Sequence, residues 1–174
     1  MTRTTNARIA GVTFLVYIAA GVSSLALTGR TNATDVLSLI TSLSALMLGV
    51  TLYAITRAQD PDLAMLALTC RVVESIPGHA SASAFFFAVG STLFSWLLLR
   101  GRMIPVALAR LGVLASVFLV VILPLQRAGL FGGSTNWFSA VTWLMWLPML
   151  MFEVTLALWL ITKGVGTPAK RQWA

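Results

Sequence analysis

Three charged residues lie inside apolar segments of the chain. Arg71 and Glu74 interrupt the stretch "LALTCRVVESIPGH", and Glu153 follows the run "WLMWLPMLMF". A guanidinium and carboxyl groups can pair with one another, hold the polar group of a ligand, or transfer protons. If these segments cross a bilayer, an unpaired charge at its centre costs roughly 2.5–3.5 kcal/mol. We therefore expect all three side chains to face other helices rather than lipid.

The balance of these charges bears on their chemistry. One arginine facing two carboxylates leaves a negative charge uncompensated, which is unfavourable in a low dielectric unless a proton is bound. We therefore predict that either Glu74 or Glu153 keeps its proton near neutral pH, with Arg71 as an orienting cation. A protonated carboxyl can act as a general acid or take part in proton-coupled transport. A static buried network would have the same composition.

The composition of the chain indicates a membrane protein. Of its 174 residues, 58% are hydrophobic and 10% are charged, and the mean hydropathy is +0.90. A soluble domain has about 25% charged residues. The net charge of +7 would indicate a nucleic-acid partner in a soluble protein, but here the basic residues lie between apolar runs. We expect the lipid bilayer as the partner, and no nucleic acid.

Long apolar runs are the elements that must position the charges, since each can cross a hydrocarbon core of about 30 Å as a helix. They predict an all-α, polytopic membrane bundle of six helices forming a single domain over residues 1–174. Asp60 and Pro61 signal the start of the third helix, and we expect Pro124 to close the fifth. The predicted helices lie near residues 9–29, 34–56, 61–77, 80–99, 104–124 and 137–162.

Basic residues are distributed unequally between the two sides of this topology. With the N-terminus in the cytoplasm, only Arg30 and Arg127 fall on the outer side. The inner side collects Arg3, Arg8, Arg57, Arg100, Arg102, Arg110, Lys163, Lys170 and Arg171. Because basic loops stay in the cytoplasm, we predict that both termini are cytoplasmic.

Arg71 and Glu153 are predicted to lie at the same depth in the membrane. Each lies ten residues from the inner end of its helix, which corresponds to about 15 Å. Glu74 is one turn further along the face that carries Arg71. We therefore expect Arg71 to bridge both carboxylates, and we expect the third helix to be central in the bundle.

The sixth helix carries side chains suited to a ligand pocket. Trp146, Met149 and Glu153 share one face, and Pro148 interrupts the helix between them. This face would line a cavity for an apolar molecule with one polar group, or it would pack against neighbouring helices. His79, at the outer end of the third helix, is placed to bind a ligand or to pass a proton to Glu74, and an ordinary loop histidine is the alternative.

The sequence does not predict a metal or a cofactor. Cys70 is the only cysteine and His79 the only histidine, which leaves too few ligands for a zinc or haem site. The chain also lacks a phosphate-binding glycine loop and a serine nucleophile elbow. We expect the protein to work without a cofactor.

Four segments resemble a family of uncharacterised bacterial multi-spanning membrane proteins. The family's Arg three residues before a Glu or Gln is matched by Arg71 and Glu74. Its Arg before an Ile-Pro or Leu-Pro turn is matched by Arg102 or Arg100 with Pro105, and its Glu before the final apolar run by Glu153. The resemblance implies six helices with inward charges in the inner (plasma) membrane of a bacterium, and it implies no activity. The four segments are "RIAGVTFLVYIAAGV", "ALMLGVTLYAITRAQDPDLAMLALTCRVVES", "LLLRGRMIPVALARLGVL" and "PMLMFEVTLALWLITKGV".

Three functions are compatible with these features. The first is binding or acid–base conversion of a lipophilic isoprenoid-like molecule, by isomerisation or cyclisation. Glu74 or Glu153 would then be the proton donor, and the ligand-binding residues would be Trp146, Met149 and His79. The second is a small transporter or proton-coupled carrier, for which a homo-oligomer would provide a pathway. The third is a structural or assembly subunit of a membrane complex, in which the charges fix helix register.

Overall fold

The chain is helical throughout the part that the structure describes. The computed structural model describes residues 2–27, 31–76, 80–130 and 139–166, and these form six helices and no strands. The predicted all-α bundle of six helices is therefore confirmed. The helices are α1 (Arg3–Ala26), α2 (Thr31–Thr56), α3 (Pro61–Glu74), α4 (Ala80–Arg100), α5 (Val106–Arg127) and α6 (Ala140–Thr162).

Five of these helices are long and apolar enough to cross a membrane, so the chain is a multi-pass membrane protein. The exception is α3, because its 14 residues extend only about 21 Å. The predicted third helix, over 61–77, is too long at its C-terminal end. The helix ends at Glu74, and the Ser75 N–H closes its last turn on the Arg71 carbonyl at 3.1 Å.

A local signal sets the start of α3, whereas the proline near the end of α5 does not stop that helix. Asp60 caps α3 by accepting a hydrogen bond from the Leu63 N–H at 3.2 Å, and Pro61 begins the helix as predicted. Pro124 does not close α5, contrary to the prediction, and instead lies inside it. A proline removes only its own N–H from the helix, and the Ala128 N–H still reaches the Pro124 carbonyl at 2.9 Å.

The helices form a closed ring in chain order. Each helix packs against its neighbours in sequence, α6 packs against α1, and α2 also touches α4. The prediction that the third helix is central is wrong, because α3 lies in the ring between α2 and α4. Its Met65, Leu66 and Val72 are exposed on the outer surface. Only one face of α3 is buried, as expected of a peripheral amphipathic helix.

One end of the ring carries most of the described basic residues, and we call it the basic end. This basic end contains the start of α1, the α2–α3 and α4–α5 turns, and the end of α6. Contacts join these elements, among them Arg3 to the Ile55 carbonyl at 3.5 Å, Arg100 to Asp60 at 3.5 Å, and the Gly166 N–H to the Met103 carbonyl at 2.8 Å. The exposed basic side chains of the basic end are Arg8, Arg57, Arg100, Arg102, Arg110 and Lys163.

The outer surface of the ring is apolar along the length of the helices. Leu114 on α5 and Leu144 on α6 are 70% and 72% exposed. Large apolar side chains of α2 are also exposed, among them Leu39 and Leu43. A continuous surface of this kind is suited to lipid rather than to water.

Candidate intramembrane site

Arg71 lies where glycines allow α2 and α4 to approach α3 closely. Its side chain is only 1% exposed. A Cβ atom at Gly49 of α2 would lie 2.9 Å from the Arg71 Cβ, and one at Gly90 of α4 would lie 3.1 Å from the Cys70 Cβ. Both separations are shorter than ordinary carbon–carbon contacts. The two glycines therefore allow the flanking helices to enclose the arginine.

Arg71 and Glu74 form an ion pair along one face of α3, as predicted. Arg71 Nη1 donates to Glu74 Oε2 at 2.8 Å, and Arg71 Nη2 donates to Ser91 Oγ on α4 at 3.2 Å. The Tyr17 hydroxyl on α1 donates to Glu74 Oε1 at 2.8 Å. Each oxygen of the Glu74 carboxylate thus has its own donor within the protein.

Three aromatic side chains lie beside the ion pair, and we call them the aromatic layer: Tyr17, Phe87 and Trp146. The rings of Tyr17 and Phe87 are stacked with centroids 6.3 Å apart, and those of Phe87 and Trp146 lie 5.7 Å apart. The guanidinium carbon of Arg71 lies 4.8 Å from the centroid of the Phe87 ring, a cation–π contact. The layer joins α1, α4 and α6 on the side of Arg71 away from the basic end.

Glu153 is 4% exposed and faces a small cavity in the middle of the ring. The cavity has a volume of about 10 Å³, and its polar lining residues are Arg71, Ser91, Ser95 and Glu153. A single water molecule needs about 10–15 Å³, so the cavity admits one oxygen-sized atom. The remaining lining is apolar: Phe14, Leu52, Phe94, Leu98, Met149, Phe152 and Leu156.

Arg71 and Glu153 line the same cavity without forming an ion pair. The prediction that Arg71 bridges both carboxylates is therefore wrong for Glu153. The reason is the position of the helices around the ring: α3 and α6 are not neighbours, and Arg71 turns its terminal nitrogens toward Glu74 and Ser91. Arg71 Nε and Glu153 Oε1 are each buried without a hydrogen-bond partner in the described part of the chain.

The other predicted site residues occupy different positions. Met149 is 1% exposed and lines the cavity with Glu153, whereas Trp146 belongs to the aromatic layer. Pro148 lies inside α6 between them. His79 lies outside the described residues. Within the described ranges, no group of three or more His, Cys, Asp or Glu side chains is placed to hold a metal ion.

Sequence reasoning missed Tyr17, Phe87 and Ser91. The sequence does point to Tyr17 as a residue with a buried polar contact, because it is one of only two tyrosines and lies in the middle of the first apolar run. A buried tyrosine hydroxyl usually has a hydrogen-bond partner. Ser91 and Phe87 gave no such signal, since serine and phenylalanine are common in membrane helices and their role depends on which helix faces them.

Comparison with known proteins assigns the chain to a family. A model of a domain of unknown function, DUF4386, matches residues 78–164, which is half of the chain. The chain belongs to the DUF4386 family. The expected relationship to an uncharacterised family is thus confirmed. The DUF4386 match covers α4 to α6, and therefore Ser91, Met149 and Glu153, whereas Arg71 and Glu74 precede it. No curated protein and no solved structure matches the chain.

Proposed function

We propose that this protein binds the polar end of a lipophilic, isoprenoid-like molecule within the membrane and converts the molecule by isomerisation or cyclisation. One observation carries the proposal: Arg71 Nε and Glu153 Oε1 are buried without a hydrogen-bond partner among the described residues, and their residues line one cavity. Buried polar atoms in proteins nearly always have partners, and an exception calls for a specific explanation. A polar group of a ligand would satisfy both atoms at once.

In this proposal Glu153 is the proton donor and Arg71 the orienting cation. The charge of Arg71 is already balanced by Glu74, which accepts hydrogen bonds from both Arg71 and Tyr17. A carboxylate at Glu153 would add an unbalanced charge in a low dielectric, so Glu153 holds its proton. Of the two candidate donors, Glu74 is therefore assigned a structural role and Glu153 the chemical role.

The proposed isomerisation needs no co-reactant. The Glu153 O–H bond breaks as its proton adds to a carbon–carbon double bond next to the ligand's polar group. A C–H bond forms from the π electrons and leaves a carbocation. The Glu153 carboxylate then removes a proton from a neighbouring carbon, and the double bond re-forms in a new position. The carboxylate exists only while the ligand is cationic, so the charge in the cavity stays balanced.

The surroundings of Glu153 suit the hydrocarbon part of such a ligand. Met149 and the phenylalanines of the cavity provide apolar contacts, and the rings of those phenylalanines can also stabilise a cation. The cavity itself admits only an oxygen-sized atom. We therefore propose that side chains of the aromatic layer move when a ligand enters.

A purely structural role for the charges is the second candidate, and the hydrogen-bonded network favours it. Tyr17, Arg71, Glu74 and Ser91 connect α1, α3 and α4, and such a network can fix the register of helices. This role accounts for Glu74 and for two nitrogens of Arg71. It does not account for Glu153.

We also propose that the basic end faces the cytoplasm, in the plasma membrane of a bacterium. The exposed basic residues at that end support this orientation, because basic segments are retained in the cytoplasm. At the opposite end, Arg127 is the exposed basic residue among the described residues, and Asp35 is exposed there as well.

The experiment that tests the proposed function is native mass spectrometry with lipid extraction, on wild type, Glu153→Leu and Met151→Leu. Met151 is on the same helix and faces outward, with 59% exposure, so its variant is the matched control. We expect a discrete lipophilic molecule to copurify with wild type and Met151→Leu, and to be lost from Glu153→Leu. The same bulk phospholipid in all three samples would overturn the ligand site and favour the structural role.

A further inference from the structure

We infer that the polar group recognised at this site is a single neutral oxygen, so that the ligand is a lipophilic alcohol or ketone rather than a carboxylic acid or a phosphate ester. This inference rests on the proposed function and makes it more specific. Three features of the site support it: the size of the cavity, the hydrogen bonds that Arg71 already makes within the protein, and the balance of charge.

The cavity, at its present size, holds one heavy atom. Its volume is about 10 Å³, close to the requirement of about 10–15 Å³ for one water molecule. Met149 and Leu156, which line the cavity, are each 1% exposed, so buried side chains form its wall. A hydroxyl or carbonyl oxygen fits this volume, whereas a carboxylate or a phosphate brings two or more further heavy atoms.

Both terminal nitrogens of Arg71 already donate hydrogen bonds within the protein. Arginine binds carboxylates and phosphates through two parallel N–H bonds. Here Nη1 is directed to Glu74 and Nη2 to Ser91, at 2.8 and 3.2 Å. Among the residues that the structure describes, Nε is the Arg71 nitrogen without a hydrogen-bond partner. It offers one N–H donor, which suits one acceptor oxygen.

The charge of the site also favours a neutral group. The ion pair of Arg71 with Glu74 is balanced as it stands, so an anionic ligand would bring an uncompensated charge into a low dielectric. A neutral oxygen accepts a hydrogen bond from Arg71 Nε and also forms a hydrogen bond with the Glu153 carboxyl group. An alcohol O–H donates to Glu153 Oε1, and a carbonyl oxygen accepts from the protonated Glu153 instead.

Four probes with one hydrocarbon chain test this inference: a prenyl alcohol, the prenyl carboxylic acid, the prenyl monophosphate and the corresponding hydrocarbon. Binding of each is measured as the shift in thermal unfolding of the purified protein in mild detergent, for wild type, Glu153→Leu and Met151→Leu. We expect the alcohol to stabilise wild type and Met151→Leu. We expect the acid, the phosphate and the hydrocarbon to bind at least about tenfold more weakly. Glu153→Leu should lose the preference for the alcohol.

The outcomes separate this inference from the proposed function. If the acid or the phosphate binds as tightly as the alcohol, and Glu153→Leu abolishes that binding, the single-oxygen inference is overturned while the ligand site stands. If no probe stabilises wild type, or if the alcohol stabilises Glu153→Leu equally, both the ligand site and the inference are overturned.

Discussion

Tyr17 on α1 donates a hydrogen bond of 2.8 Å to Glu74 on α3, although α1 and α3 do not pack against each other. The bond crosses the middle of the ring and gives the Glu74 carboxylate a second donor besides Arg71. A buried ion pair is tolerated when its remaining lone pairs are hydrogen-bonded. The tyrosine therefore helps to make an ion pair acceptable at membrane depth.

Tyr17→Phe should destabilise the protein while leaving the aromatic layer in place. The variant removes the hydroxyl that bonds to Glu74 and keeps the ring that stacks on Phe87. We expect the free energy of unfolding in detergent to fall by about 1–2 kcal/mol. Tyr53→Phe is the control, because Tyr53 is partly buried against the core and takes no part in the hydrogen bonds that join Tyr17, Glu74 and Arg71. Equal losses in the two variants would contradict the role given to Tyr17.

Replacement by glutamine should cost more stability at Glu74 than at Glu153. Glu153→Gln substitutes a neutral amide for a neutral acid, so we expect the unfolding free energy to change by less than about 1 kcal/mol. Glu74→Gln should cost more, because Arg71 loses its counterion. Glu153 would then release its proton and balance the arginine.

The double variant Glu74→Gln/Glu153→Gln tests this coupling. It leaves Arg71 without any carboxylate, so we expect a total loss of about 3–5 kcal/mol. That loss should exceed the sum of the two single losses, measured by denaturant or thermal unfolding. Simple additivity would show that Glu153 does not exchange roles with Glu74.

The close approach of α2 to Arg71 can be tested with a pair of glycine substitutions. A Cβ at Gly49 would lie 2.9 Å from the Arg71 Cβ, whereas a Cβ at Gly21 would meet no atom within 4 Å. We expect Gly49→Ala to lower the unfolding free energy by about 1–3 kcal/mol through overpacking. Gly21→Ala should be neutral or stabilising by up to about 1 kcal/mol. An unfolding midpoint for Gly49→Ala at or above wild type would argue against this packing.

The orientation of the chain can be tested by cysteine labelling in a Cys70→Ala background. Arg57→Cys and Arg102→Cys place exposed thiols at the basic end, and Asp35→Cys and Arg127→Cys place them at the opposite end. A membrane-impermeant thiol reagent added to intact bacterial cells should label only the second pair. Labelling of the first pair in intact cells would reverse the proposed topology.

Hydropathy was sufficient to predict the helices and their number. Apolar runs of membrane length have few alternatives to helices, since every backbone polar group must be bonded within the segment. Hydropathy does not determine the residue at which each helix ends. Pro124 stays inside α5, and α3 stops at Glu74, because helix ends depend on local bonds that a hydropathy pattern does not contain.

The sequence predicts the depth of the site along the helices, but not which helices lie next to one another around the ring. Counting residues along each helix placed Arg71 and Glu153 at one level, and both do line one cavity. The count could not show that α3 and α6 are separated in the ring, which is why the predicted bridge to Glu153 fails. It also could not find Tyr17 and Ser91, whose helices take part through tertiary packing.

The central claim is that Glu153 is a neutral acid beside an arginine already paired with Glu74, and infrared spectroscopy tests it directly. The chain has only five acidic side chains, and Asp35, Asp60 and Asp62 are at or near the surface, so few carboxyl groups compete for assignment. In membranes near neutral pH we predict a carbonyl stretching band of a protonated carboxylic acid in wild type that disappears in Glu153→Gln. Absence of the band from wild type, or its persistence in Glu153→Gln, would contradict the account.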